Sequence, residues 1–147
     1  MLRGNITATV DEKGRLKIPA AFKADLDKAY GPDVEFFVTS LDGKSVWIYP
    51  LPEWVKVEER LAPLPSMNKA KKHFLDRTNY WGQMARADAQ GRVLVPALLR
   101  ESAGMQGEVA VMGHEERLEV GSMDRLRGPM SEPFPDEDMN TLDGFHI

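Results

Sequence analysis

The sequence predicts an α+β chain, rich in β-structure and built as two copies of one small unit. Three observations carry this expectation. The stretch Asp11-Glu12-Lys13-Gly14-Arg15-Leu16-Lys17-Ile18-Pro19-Ala20-Ala21-Phe22-Lys23 aligns without gaps on Asp88-Ala89-Gln90-Gly91-Arg92-Val93-Leu94-Val95-Pro96-Ala97-Leu98-Leu99-Arg100, with Asp, Gly, Arg, Pro and Ala identical. Five identities in 13 positions compare with about one expected by chance from average residue usage. Within each copy apolar and charged residues alternate: Leu16 and Ile18 against Arg15 and Lys17, then Val93 and Val95 against Arg92. That is the period of a half-buried strand. Finally, Asp42-Gly43 stands between two apolar runs, a strong signal for a hairpin turn.

The elements follow in chain order. Residues 5–10 and 82–87 are short segments that lead into Asp-x-x-Gly turns, Asp11 to Gly14 and Asp88 to Gly91. In such a turn Asp bonds the backbone ahead of it and Gly supplies a positive φ. The alternating strands come next, and Pro19 and Pro96 end them and suit the first position of a helix. Phe22, Leu26 and Ala29 have helical spacing, as do Leu99 and Ala103, with Tyr30-Gly31-Pro32 and Gly104 as stops. A hairpin closes each copy, residues 35–39 with 45–49 and residues 108–112 with 117–120. Each copy therefore reads β-turn-β-α-β-turn-β. Such a unit is too small to bury both of its faces, so it is expected to pair with its twin.

The first repeat spans residues 5–52 and the second 81–124, with a helical connector over 53–80. In the connector, Pro52-Glu53-Trp54 opens a helix to about Leu61, and Ala62-Pro63-Leu64-Pro65 breaks it. A second helix over residues 67–76 sets Met67, Ala70 and Phe74 on one stripe. Residues 128–147 are acidic, punctuated by proline and without period, and are expected to form a disordered tail.

Composition removes several classes of function. The chain has 147 residues, 42% apolar and 29% charged, which is ordinary for a globular protein of one domain or two small ones. It has no cysteine, so disulfides, thiolate zinc sites, iron–sulfur clusters and a cysteine nucleophile are excluded. No apolar run reaches a membrane span and the N-terminus opens no apolar h-region, which argues against membrane insertion and secretion. His73, His114 and His146 are scattered over a helix, a turn and the tail, and no His-Glu-x-x-His pair, nucleophile elbow or phosphate-cradling loop is present. No catalytic residue, metal or cofactor is expected.

Charge is arranged in blocks. The net charge is −4 overall, yet residues 1–23 carry +3 and residues 66–100 carry +5, against −4 over 24–65 and −8 over 101–147. Phosphate responds to the face it meets and not to the whole-chain sum. Arg15 and Lys17 share strand parity, Lys13 lies in the turn, and Arg92 holds the Arg15 position of the second copy. A two-stranded ribbon fits the DNA major groove, and arginine is shaped to meet O6 and N7 of guanine. The same residues also suit a plainer role, in which Asp11–Arg15 and Asp88–Arg92 are ion pairs that staple each turn.

The doubled motif, with the intervening Val46-Trp47-Ile48-Tyr49-Pro50-Leu51-Pro52-Glu53-Trp54, resembles the MraZ family of bacterial transcriptional regulators over roughly residues 1–125. The resemblance implies two SpoVT/AbrB-type swapped-hairpin β-barrel modules, with short helices, fused into a pseudo-dimer. It implies a cytoplasmic, nucleoid-associated protein that forms ring-like homo-oligomers. Its partner would be double-stranded DNA, at short tandem promoter repeats of the cell-division and cell-wall gene cluster, its own promoter included. The family's Asp-x-x-x-Arg motif falls on Asp11 and Arg15 and on Asp88 and Arg92, with Gly14 and Gly91 in the turns. Lys13, Arg15, Lys17, Arg86 and Arg92 are the expected DNA contacts. The second copy departs from the first: Gln90 replaces a lysine, Leu94 stands where Lys17 does, and Arg86 compensates in part. Its end, Leu118-Glu119-Val120-Gly121, lacks the family's aromatic-rich segment. The competing function is a protein-interaction module of the same fold whose basic edge meets an acidic partner.

Overall fold

In each repeat, the turn between the first two strands is set by an aspartate folded back on its own backbone. Asp11 Oδ1 accepts from the Lys13 and Arg15 amides at 3.0 and 2.9 Å, and Asp88 Oδ1 accepts from the Gln90 and Arg92 amides at 2.9 Å each. Gly14 and Gly91 complete the turns at φ +83° and +73°, where a Cβ is disfavoured. The computed structural model describes residues 1–147 and is α+β, with eight strands and six helices. The first copy contributes β1 (Asn5–Thr9), β2 (Arg15–Lys17), α1 (Ala20–Tyr30), β3 (Glu35–Thr39) and β4 (Val46–Pro50). The connector is α2 (Leu51–Leu61) and α3 (Lys69–Trp81). The second copy contributes β5 (Gln83–Arg86), β6 (Arg92–Leu94), α4 (Ala97–Ala103), β7 (Glu108–His114) and β8 (Arg117–Ser122), and α5 (Met123–Ser131) and α6 (Asp136–Asp143) follow. Pro19 and Pro96 cap α1 and α4 from one residue before the helix, with φ near −50° already helical.

The two copies are interleaved. Six strands form one antiparallel sheet in the order β1-β7-β8-β4-β3-β5, and β2 and β6 form a separate antiparallel ribbon. Each copy's first strand pairs with the other copy's third: β1 with β7 and β5 with β3. The registers correspond, Thr9 opposite Glu108 and Arg86 opposite Glu35. At the centre of the sheet β4 meets β8, with Trp47 opposite Glu119. In the ribbon Leu16 lies opposite Val93, while the Ile18 amide donates to the Gly91 carbonyl and the Val95 amide to that of Gly14, both at 3.0 Å. An approximate two-fold axis therefore relates the halves. The halves are not identical: α4 has 7 residues where α1 has 11, and β7 has 7 where β3 has 5.

The core lies between the ribbon and the sheet. Leu16, Ile18, Phe22 and Leu26 of the first copy pack in one cluster with Val93, Val95, Leu99 and Ala103 of the second, against Val38 and Val111 of the sheet. Full burial of such a side chain contributes about 1.5–3 kcal/mol, and both copies are needed to enclose it.

Outside the paired copies the structure departs from the pattern expected of the sequence. Ala29 is exposed and the half-buried Tyr30 closes the α1 stripe against the core. Helix α3 starts and ends later than expected, capped by the Asn68 side chain, whose Oδ1 accepts from the Lys71 amide at 3.0 Å. Met67 and Ala70 are consequently exposed, and the inward stripe is Phe74, Thr78 and Trp81. Phe74 stacks on Trp54 of α2 at 6.0 Å, and Trp54 in turn meets Phe37 and Tyr49 on the outer face of the sheet. Residues 128–147, expected to form a disordered tail, hold the end of α5, through Ser131, and α6 over Asp136–Asp143. Pro135 presets the helix entry, and Asp136, Glu137 and Asp138 fill the first turn, where negative charge favours the helix dipole. Lack of period described this segment's burial, which is slight, and not its helicity.

Candidate nucleic-acid interface

Because Leu16 and Val93 point into the core, strand alternation turns Arg15, Lys17, Arg92 and Leu94 to the opposite, outer face of the ribbon. Register sets them in two cross-strand pairs, Arg15 with Leu94 and Lys17 with Arg92. Arg15 Nε donates to Asp11 Oδ2 at 2.8 Å, and its Nη1 lies 3.8 Å from Asp88 Oδ2. Arg92 repeats this in reverse, with Nε to Asp88 Oδ2 at 2.8 Å and Nη1 3.8 Å from Asp11 Oδ2. The four side chains close a ring in which each guanidinium sits between two carboxylates, one from each copy. Arg92 Nη2 also donates to Gln90 Oε1 at 3.1 Å.

The ring orders its charges. The Arg15 backbone amide holds the Asp11 carboxyl below its ordinary value against desolvation, and the Arg15 guanidinium adds to the lowering. The Arg92 amide and guanidinium do the same for Asp88. Both carboxylates stay ionised and fix two planar, permanently charged donors on the ribbon surface, where each arginine side chain remains 29% exposed. Stapling the turns and presenting the arginines use the same contacts.

Lys13 and Lys17 are exposed beside this ring, Lys13 in the turn and Lys17 on the ribbon. Arg86 is not on the ribbon. It sits on β5, an edge strand of the large sheet, 3.5 Å from Glu35. Two further cations approach the turns. Arg100 Nη1 donates to the Val95 carbonyl at 2.8 Å, and the guanidinium covers Gly14 so closely that a Cβ there would stand 1.5 Å from it. Its twin Lys23 lies over Gly91, with Cγ 4.0 Å from where a Cβ would be, and pairs with Asp27. Each helix thus extends a cation over the other copy's turn. The matched basic residue at the last position of the 13-residue repeat was the available signal for both.

His, Asp and Glu residues nowhere gather into a group of three or more that could hold a metal ion, and no helix is long and apolar enough to cross a membrane. Residues 1–77 and 83–126 match the family described as "MraZ protein, putative antitoxin-like". A protein named Transcriptional regulator MraZ from Acidobacterium capsulatum is 53% identical over the full length of both chains. Its namesake from Koribacter versatilis is 44% identical, again over both full lengths. One from Moorella thermoacetica is 34% identical over 85% of this chain and 83% of its own.

Proposed function

The chain belongs to the MraZ family of transcriptional regulators, a family of regulators and not of enzymes, and from that premise we propose that it regulates transcription by binding double-stranded DNA sequence-specifically through the β2–β6 ribbon. Its targets are short tandem repeats in promoters of the cell-division and cell-wall gene cluster, its own promoter included. On this reading the chain fuses two swapped-hairpin barrel modules of the SpoVT/AbrB type, and the reciprocal strand exchange supports it. The protein works in the cytoplasm, on the nucleoid, as a ring-like homo-oligomer.

One observation carries the reading. Two arginines lie on the outer face of a two-stranded antiparallel ribbon, each held by a pair of aspartates, with Lys13 and Lys17 exposed beside them. Such a ribbon is narrow enough for the major groove, and the Arg15 guanidinium, fixed at Nε by Asp11, keeps its terminal donors for a base edge. Lys13 and Lys17 suit flanking phosphates. Unequal ends of a fused pseudo-dimer permit head-to-tail contacts, which close into a ring when the rotation allows. A ring would engage several repeats at once, so modest affinity per ribbon would multiply.

The test is a mobility-shift titration on the chain's own upstream DNA and on a scrambled duplex, at rising salt. Preference for the upstream sequence, with log K falling linearly against log salt, is the expected result. Equal binding to both duplexes, or binding only to an acidic protein partner, would overturn it.

A further inference from the structure

Three of the four outward residues on the ribbon are cationic, and the fourth is Leu94, 48% exposed. A single exposed leucine is unremarkable on most surfaces. Here it lies directly opposite Arg15, at the position where the other copy has Lys17. The ribbon's two ends consequently differ in chemistry. Lys17 with Arg92 offers two cations, whereas Arg15 with Leu94 offers one fixed cation and one apolar group. Phosphate and water have nothing to give a leucine. Among the base edges exposed in the major groove, the apolar group is the 5-methyl of thymine.

We propose that Leu94 is a specificity-determining residue that packs on the 5-methyl group of a thymine beside the base met by Arg15. The proposal rests on the DNA-binding reading above. Directly opposed residues of an antiparallel pair have Cβ atoms about 5 Å apart. Bases along one strand are spaced by about 3.4 Å, so the thymine lies within two steps of the Arg15 base. The Lys17–Arg92 end meets phosphates. A ribbon with one reading end and one phosphate end binds in a single orientation, although its backbone is nearly two-fold symmetric.

The experiment removes the methyl from the DNA and the leucine from the protein, separately and together. Duplexes of the upstream repeats carry deoxyuridine in place of each thymine in turn, and each is titrated with wild type and with Leu94→Ala. Leu94 is exposed, so the variant should keep the wild-type melting temperature and sedimentation. At one thymine, wild type should lose about four-fold in affinity, the value of one buried methyl group. Leu94→Ala should bind thymine DNA more weakly than wild type and should be indifferent to that methyl. Equal methyl losses in both proteins, or none in either, would overturn the assignment. Altered sedimentation of free Leu94→Ala would do so too, by showing that the leucine contacts another copy. Wild type that failed to prefer repeats over scrambled DNA would instead defeat the DNA-binding reading, and this proposal with it.

Discussion

Asp11 and Asp88 each serve a turn and a guanidinium at once, and this dual use is open to test. Their carboxyls titrate below the ordinary value of 3.8, chiefly because the Arg15 and Arg92 backbone amides, four residues on, donate to them. A carboxylate with a depressed folded-state value contributes stability that is fully present above its unfolded value and is lost as pH falls through the folded one. Asp11→Asn with Asp88→Asn should therefore melt below wild type at neutral pH, and the gap should close under acid, below about pH 4. A gap that stayed constant in thermal melts across that range would contradict the role given to these carboxylates. Half of the ring was legible in the sequence. Asp-x-x-Gly-Arg is a local motif, so its own ion pair follows from spacing alone. The crossed contacts, Arg15 to Asp88 and Arg92 to Asp11, join residues more than 70 positions apart and depend on how β2 and β6 pair.

The ribbon and its turns are near-identical halves, which makes paired substitutions informative. Gly14 and Gly91 both have positive φ, so alanine at either should cost about 1–2 kcal/mol in backbone strain. Only at Gly14 would the new Cβ collide with Arg100 and displace its bond to the Val95 carbonyl, about 1 kcal/mol more. Urea denaturation should rank Gly14→Ala below Gly91→Ala in stability, and equal losses would contradict the packing described. The short strands were readable because Leu16, Ile18, Val93 and Val95 alternate cleanly and are all buried. Helices outside the repeats were harder. The start of α3 is set by the Asn68 cap and its inward stripe by docking against Trp54, a tertiary contact no local pattern announces. The acidic turn after Pro135 was a helix-start signal, outweighed by the lack of an apolar stripe.

At the scale of the whole molecule, exchange of first strands makes the copies interdependent. Residues 1–50 alone leave β1 without β7 and β2 without β6, and they expose the core side of Leu16, Ile18 and Phe22. That fragment should show no cooperative thermal melt as a monomer, and a two-state monomeric transition would contradict the interleaved fold. The repeat predicted that the copies pair, but not which strands cross, because partner choice lies in the register between copies. If this pairing builds a DNA-reading ribbon around Arg15, wild type and Arg15→Ala should differ in affinity for repeat-bearing and scrambled duplexes, with folding checked by circular dichroism. Arg15→Ala should lose about 1–3 kcal/mol per contact on repeats and much less on scrambled DNA, so that discrimination collapses. Undiminished discrimination by folded Arg15→Ala would contradict it, leaving the Asp–Arg ring as a staple of the turns.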